Sequence, residues 1–307
     1  MKRKQVTVTQ LLALLAHPAG HSLSPRMHNL AAQLTGTDVH YMAFDVTDLA
    51  AATTGLVAMG ARGWNLSMPH KQRGLELADV ASQAATIIGT TNTIVNLGGR
   101  LTAHNTDGIG AIRALAANGV TVRGNDLAVL GAGGAARAIA IQAALNGARL
   151  VHIINRSACA ALTLARDVEA AGARANVLPL SSTWETEITG SIALVNATSV
   201  GMTPQTAQTP VRDIDKLPAD LFIMDTIYAP SQTRLLQDAR ERGIRAENGL
   251  RLLVEQGAEA FSLFTGEQMP TDVVLENLRR TQDDASDHLA SVPTRMRSSR
   301  HARHTEA

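Results

Sequence analysis

Two short stretches of the chain carry the groups that acid–base chemistry needs. Residues 104–108 read HNTDG and residues 65–71 read NLSMPHK, so a carboxylate, Asp107, and an amine, Lys71, each stand among small polar residues. Asn, Thr, Asp and Gly also suit a turn or a helix cap, and Asp107 alone reads as a capping residue. Together with Lys71 it forms a unit that can take the proton of an alcohol or steady a developing alkoxide, and the sequence leaves both roles open. Ser22 and Ser24 flank one apolar residue in SLS. Asn65 and Ser67 alternate in NLSMPHK, on one face of an extended strand. Asn92 stands in TTNT, and Asn105 lies beside Asp107. Singly, each has an ordinary explanation: Ser24 a helix cap, Asn92 a turn residue, Lys71 a surface lysine. As a set they supply hydroxyls, amides and one ion pair, which suits a small polyhydroxylated molecule.

A second chemistry is written at AVLGAGGAARA, a strand, a glycine turn and a helix start. Gly131 permits the tight turn and Gly133 lets backbone approach a pyrophosphate, while the helix N-terminus offers free N–H groups and a positive dipole end. After the next strand, RLVHII, a site for NAD would place an Asp or Glu to accept from the ribose 2′-hydroxyl. Here the residues are Asn155, Arg156 and Ser157. A guanidinium binds a 2′-phosphate in bidentate fashion where a carboxylate would repel it, so the loop reads as one for NADP, with NAD as the alternative.

The elements that must position these groups alternate in kind. HSLSPRMHNLAAQLTG reads as a helix with Ser24 at its N-cap, Pro25 at its first position and Gly36 at its end. HYMAFDV reads as a strand, DLAAATTGLVAMG as a helix, ARGWNLSMP as a strand, and residues 72–88 as one helix. TTNTIVN and RLTAH flank a Leu-Gly-Gly hairpin signal. A second unit opens near residue 109 with GIGAIRALAANG, continues through strands NDLAVL, RLVHIIN, SIALVNATS and LFIMDTIY, and closes with helices TRLLQDARERG and NGLRLLVEQGAEAFSLFTG. Strands alternating with helices imply a largely parallel sheet under helical cover.

The totals exclude several classes. At 307 residues with 45% hydrophobic content the chain is long enough for two cores, and a net charge of +1 gives no reason to invoke nucleic acid or a membrane surface. The basic, then apolar start raises the question of a signal peptide, but its apolar run is short, is broken by His17-Pro18 and lacks a cleavage site, so residues 11–16 read as a buried first strand. No stretch approaches the roughly 20 apolar residues that span a bilayer. The single cysteine, Cys159, excludes an internal disulfide and fits a reducing compartment, so a cytoplasmic protein is expected. From residue 282 the composition turns to Asp, Ser, Arg and His, and 282–307 reads as a disordered tail whose histidines, His288, His301 and His304, are solvated and hold no metal.

The motifs HSLSPRMHN, NLSMPHKQ, TTNTIVN, HNTDGIG, GAGGAAR, NATSVGM, DTIYAPSQTRLL and NGLRLLVEQGAEAF resemble, in order and over roughly residues 14 to 278, those of the shikimate dehydrogenase family. HSLSP, YMAF and SMPHKQ look closer to its quinate/shikimate dehydrogenase branch. The resemblance implies an α/β chain of two domains: a substrate domain over 1–108 with a mostly parallel sheet, completed by helices in 249–281, and a Rossmann-type NADP-binding domain over 109–248. It further implies that Ser22, Ser24, Ser67, Asn92, Tyr228 and Gln256 hold the substrate, joined by Tyr41, and that Lys71 and Asp107 are the catalytic pair. Ala132, Gly133, Gly134 and Ala135 would cradle the pyrophosphate, and Asn155, Arg156 and Ser157 the adenosine ribose. Ser199, Thr226 and Gly249 would lie along the nicotinamide.

The implied reaction interconverts shikimate and 3-dehydroshikimate in aromatic biosynthesis, by a monomer or homodimer. The alternatives are a quinate/shikimate dehydrogenase using NAD or NADP, and a non-catalytic sensor of shikimate-pathway metabolites, against which the retained Lys71 and Asp107 argue. A folate-type methylene dehydrogenase shares the two-domain layout, but SLS and HNTDG do not suit a large pterin. Two residues depart from the family pattern: Arg251, where a small Gly is usual, placed either to crowd the nicotinamide or to face solvent, and Ser67, where many members carry Thr.

Overall fold

The apolar run at residues 11–16 forms a buried central strand, as its composition requires. The computed structural model describes residues 9–20 and 22–291; residues 1–8, most of the basic start, and 292–307 of the tail lie outside the described residues. In the first half the order is β1 (Gln10–Ala16), α1 (Ser24–Thr35), β2 (Val39–Asp45), α2 (Leu49–Ala58), β3 (Gly63–Leu66), α3 (Lys71–Glu76), β4 (Val80–Ala81), α4 (Gln83–Ile88), β5 (Thr93–Leu97), β6 (Arg100–His104) and α5 (Asp107–Ala117). The second half holds β7 (Asp126–Leu130), α6 (Gly134–Leu145), β8 (Leu150–Asn155), α7 (Ala158–Ala170), β9 (Arg174–Pro179), β10 (Ser191–Asn196), β11 (Phe222–Asp225), α8 (Arg234–Glu241) and β12 (Ala246–Glu247). Two helices, α9 (Leu250–Thr265) and α10 (Thr271–Ser291), complete the chain's described elements.

Each half is built on a six-stranded sheet. The first is ordered β2-β1-β3-β5-β6-β4, with β1 parallel to both neighbours and the β5–β6 hairpin running antiparallel. The second is ordered β12-β11-β10-β7-β8-β9 and is parallel throughout. Read from its first strand, that is the doubly wound order whose strands reverse direction of progress between β7 and β10, where such sheets take ligands beyond their carboxyl ends. The helices α9 and α10 return to the first half: Leu250, Val254, Phe261, Phe264, Leu275 and Leu278 share one core with Leu12, Leu14 and Met27.

Three expectations are corrected. Ser24 is the first residue of α1, not its cap: Leu23 takes that place, and the Ser24 amide donates to Ser22 Oγ at 3.2 Å. Residues 72–88 are two helices, because the chain between them leaves helical geometry to pair Val80 and Ala81 with β6 while Asp79 accepts from the Leu101 amide. The tail does not begin at residue 282: α10 runs on to Ser291, and Gln282 Nε2 donates to the Tyr228 carbonyl at 2.9 Å. Among the described residues no helix is long and apolar enough to cross a membrane.

Candidate active site

Lys71 opens α3 and Asp107 opens α5, and the two meet across the first sheet's carboxyl edge. Lys71 Nζ donates to Asp107 Oδ2 at 2.5 Å, with both side chains partly exposed. The other carboxylate oxygen, Oδ1, accepts from Asn92 Nδ2 at 2.8 Å. Asn92 is itself fixed, because its Oδ1 accepts from the Thr106 amide at 2.8 Å and from Thr93 Oγ1 at 3.0 Å. Asp107 therefore does not cap its helix; the turn before it is closed instead by Asn105, whose Oδ1 accepts from the Asp107 amide. Asn105 also donates to the Thr90 carbonyl and is a turn residue.

The pair faces a cavity of about 320 Å³ whose lining includes Ser22, Ser24, Ser67, Asn92, Tyr228 and Gln256, together with Thr226 and Gly249. Gln256 comes from the returning α9 and reaches Asn92 and Thr106 at 3.3 Å. Gly249 lies so close to Thr226 that a Cβ there would stand 2.1 Å from the Thr226 carbonyl oxygen; only glycine lets α9 start there. The wall is thus assembled from both ends of the sequence.

Tyr41 does not line this cavity. It is fully buried, its ring stacks on His28 at 4.3 Å, and its hydroxyl donates to Asn65 Oδ1 at 2.8 Å. Burial pushes the phenol's pKa up, against a hydrogen bond from Ser24 that lowers it. The residue that does line the cavity is Asn65, whose Nδ2 donates to the Asn92 carbonyl and to Thr93 Oγ1. Its alternation with Ser67 is the signal the sequence offers; its place as the hub between Tyr41 and Asn92 is not visible in the chain. Arg251 neither crowds the cavity nor faces solvent. It is mostly buried among Glu247, Glu255 and Asp272, at 3.4–3.7 Å from each, and burial pushes the Glu255 carboxyl up while Arg251 and Arg113 pull it down.

The glycine loop stands after β7 at the point where strand order reverses. Gly131 has φ +110°, and a Cβ there would stand 3.2 Å from the Ala197 carbonyl beyond β10. Gly133, Gly134 and Ala135 are exposed, a Cβ on either glycine would meet nothing within 4 Å, and no side chain caps α6. The loop and the first N–H groups of α6 are therefore open to an anion, which fits the pyrophosphate of a dinucleotide. At the end of the neighbouring β8, Asn155 donates to the Ser157 carbonyl and Ser157 caps α7, which shapes the turn. Arg156 between them is exposed and has no partner among the described residues. Ser199 lies exposed just beyond β10 and does not line the cavity.

An ion pair in a polar cavity, set beside a doubly wound sheet with an open glycine loop, is the arrangement of a dinucleotide-dependent oxidoreductase. Comparison with known proteins sharpens the class. Residues 14–94 match the shikimate dehydrogenase substrate binding domain and residues 249–279 the shikimate 5′-dehydrogenase C-terminal domain. The chain is 41% identical over 286 residues to the shikimate dehydrogenase (NADP(+)) of Streptococcus uberis, covering 90% of this chain and 97% of that one. Among solved structures, shikimate 5-dehydrogenase from Listeria monocytogenes, in complex with shikimate and NAD, superposes with a TM-score of 0.85 at 39% identity, over 91% of this chain and 99% of the other. The Thermus thermophilus enzyme in complex with NADP(H) and shikimate gives 0.77 at 37% identity, over 88% and 99%. The chain belongs to the shikimate dehydrogenase family.

Proposed function

We propose that the chain oxidises shikimate to 3-dehydroshikimate with NADP as hydride acceptor and catalyses the reverse reduction. The observation that carries this reading is the Lys71–Asp107 pair, 2.5 Å apart, in a cavity that also gathers three serines, Asn92, Tyr228 and Gln256. Ser22 and Ser24 hold the substrate carboxylate, and Ser67, Asn92, Tyr228 and Gln256 divide the hydroxyls among them. Oxidation of a secondary alcohol removes a hydride from carbon and a proton from oxygen. The proton passes to the Lys71–Asp107 unit, whose donor and acceptor are already aligned on one side of the cavity.

NADP, when bound, supplies the nicotinamide that accepts the hydride. Ala132, Gly133, Gly134 and Ala135 present the open N–H groups for its pyrophosphate, and Arg156 with Asn155 and Ser157 holds the phosphorylated ribose. Thr226 and Gly249, which line the cavity, and Ser199 just beyond β10 would hold the nicotinamide half. In this reading the enzyme works in the cytoplasm as a monomer or homodimer, with the single cysteine consistent with a reducing compartment.

Steady-state kinetics with shikimate and quinate, each with NADP and NAD, test the proposal. Shikimate with NADP is expected to give the highest kcat/KM, and quinate a weaker but measurable turnover. Binding of shikimate without turnover would replace the enzyme by a metabolite sensor. Turnover of quinate at least equal to that of shikimate would assign the chain to the quinate/shikimate branch.

A further inference from the structure

Arg137 ties the glycine-loop helix to the segment that shapes the catalytic pair. It stands in the first turn of α6, three residues after Gly134. Its Nε donates to the Ile88 carbonyl at 3.1 Å and its Nη2 to the Ile87 carbonyl at 3.4 Å. Its Nη1 pairs with Asp167 of α7 at 2.8 Å. The two carbonyls are the last of α4, a helix that belongs by chain order to the substrate half but buries Ile88 in the core of the nucleotide half. Carbonyls at a helix C-terminus lack intrahelical partners, so a guanidinium there satisfies them and meets the negative dipole end.

The residues just beyond α4 connect this grip to the chemistry. Gly89 turns the chain at φ +77°, Thr90 is held by Asn105, the Thr91 amide donates to the Lys71 carbonyl at 3.0 Å, and Asn92 donates to Asp107. Only Gly89, Thr90 and Thr91 separate the carbonyls gripped by Arg137 from Asn92, and the backbone of each is hydrogen-bonded into place. A second contact holds α5 against the same helix: a Cβ at Gly108 would stand 2.5 Å from the Ala138 carbonyl, so α5 seats directly on α6 just beyond Asp107.

We propose that Arg137 is a positioning residue for hydride transfer: its bonds to the Ile87 and Ile88 carbonyls fix the distance between the nucleotide held at α6 and the alcohol held at Lys71 and Asp107. The inference rests on the dehydrogenase reading above. Because Arg137 faces α4 and α7, it affects the alignment of bound reactants more than their binding. A misplacement of about 1 Å costs up to about 100-fold in rate.

Three variants test this. Arg137→Met keeps the aliphatic stem and removes every donor; kcat is expected to fall about 10- to 100-fold while KM for shikimate and for NADP stays within about threefold. Arg137→Lys restores one charged donor and is expected to recover part of kcat. Asp167→Asn removes the ion pair but leaves both carbonyl bonds, and should keep kcat within about threefold of wild type. Amide hydrogen exchange on the protein without substrate or cofactor gives a separate readout: Gly89, Thr91 and Asn92 should exchange at least about tenfold faster in Arg137→Met than in wild type. Unchanged kcat in Arg137→Met, a loss confined to the KM for NADP, an equal loss in Asp167→Asn, or unchanged exchange would each overturn the proposal. If wild type fails to turn over shikimate, the dehydrogenase reading falls, and the exchange comparison still decides whether Arg137 clamps the segment.

Discussion

The Tyr41 hydroxyl, fully buried, donates to Asn65 Oδ1 at 2.8 Å and so fixes which end of the Asn65 amide faces Asn92 and Thr93. Through those two contacts the hydroxyl behind the cavity is joined to the carboxylate inside it. Tyr41→Phe keeps the ring stacked on His28 but leaves Asn65 Oδ1 without its donor. The expected cost is about 1–3 kcal/mol of stability. A rise of about tenfold in KM for shikimate, equivalent to roughly 1.4 kcal/mol, should accompany it with kcat little changed. Unchanged Tm and KM would mean that Asn92 and Thr93 suffice to hold Asn65.

The proposed catalytic role of Lys71 and Asp107 makes the most direct prediction. Lys71→Ala and Asp107→Ala should each lower kcat by a factor on the order of 100 or more. Both side chains are partly exposed, so the fold should survive, as circular dichroism would show. Near-wild-type turnover in either variant would remove the pair from the chemistry.

In the proposed assignment the exposed guanidinium of Arg156 at the end of β8, which has no partner among the described residues, sets the cofactor preference. Arg156→Ala should raise KM for NADP about 10- to 100-fold, the equivalent of a lost charge-assisted contact, while KM for NAD hardly moves. Wild type using NAD at least as well as NADP would contradict this assignment.

Acid sensitivity should trace in part to His28. The ring is buried, its Nδ1 has no hydrogen-bond partner, and desolvation holds its pKa at about 3. An unfolded histidine titrates near 6.5. Between these values the unfolded chain binds a proton that the folded chain refuses, so the stabilisation is complete above pH 6.5 and is lost as pH falls toward 3. The effect is on the order of 5 kcal/mol at most. In His28→Phe, which keeps a ring against Tyr41, the fall in stability from pH 6.5 to 4 should be shallower than in wild type. Parallel curves from denaturant titrations at each pH would show that His28 plays no part.

How much of the molecule is legible in its sequence depends on the range of the interactions involved. The glycine loop is legible because a strand, a turn and a helix start are contiguous in sequence, and the hairpin at Leu97 to Gly99 is legible for the same reason. The break between α3 and α4 is not, since Val80 and Ala81 leave helical geometry only because β6 lies beside them. The edge strand β9 gives no sequence signal either: its residues are half exposed and carry no alternation to mark them. At the site, Ser22, Ser24, Asn65, Ser67 and Asn92 stand out by residue type and spacing, whereas Tyr228 and Gln256 come from the family resemblance alone. Whether a side chain lines a cavity or stands behind it depends on packing around it, so Tyr41 stands one layer behind the place the resemblance implies. Arg137 belongs to the glycine-loop motif, but its partners lie about fifty residues earlier and thirty later, where local pattern says nothing.

The return of α9 and α10 to the first sheet also orders events during synthesis. Leu12, Leu14 and Met27 share their core with Phe261, Phe264 and Leu278, and Gln256 closes the cavity, so the first half leaves the ribosome with one side of its sheet covered by α1 alone. The nucleotide half, whose strands and covering helices are contiguous, can fold while that side waits. Its growing core receives Ile88 and gives the waiting segment an early anchor. Nascent chains stalled before residue 250 would therefore hold a formed nucleotide half beside a sheet still open to chaperones, and a substrate cleft comes into being only when the last two helices arrive.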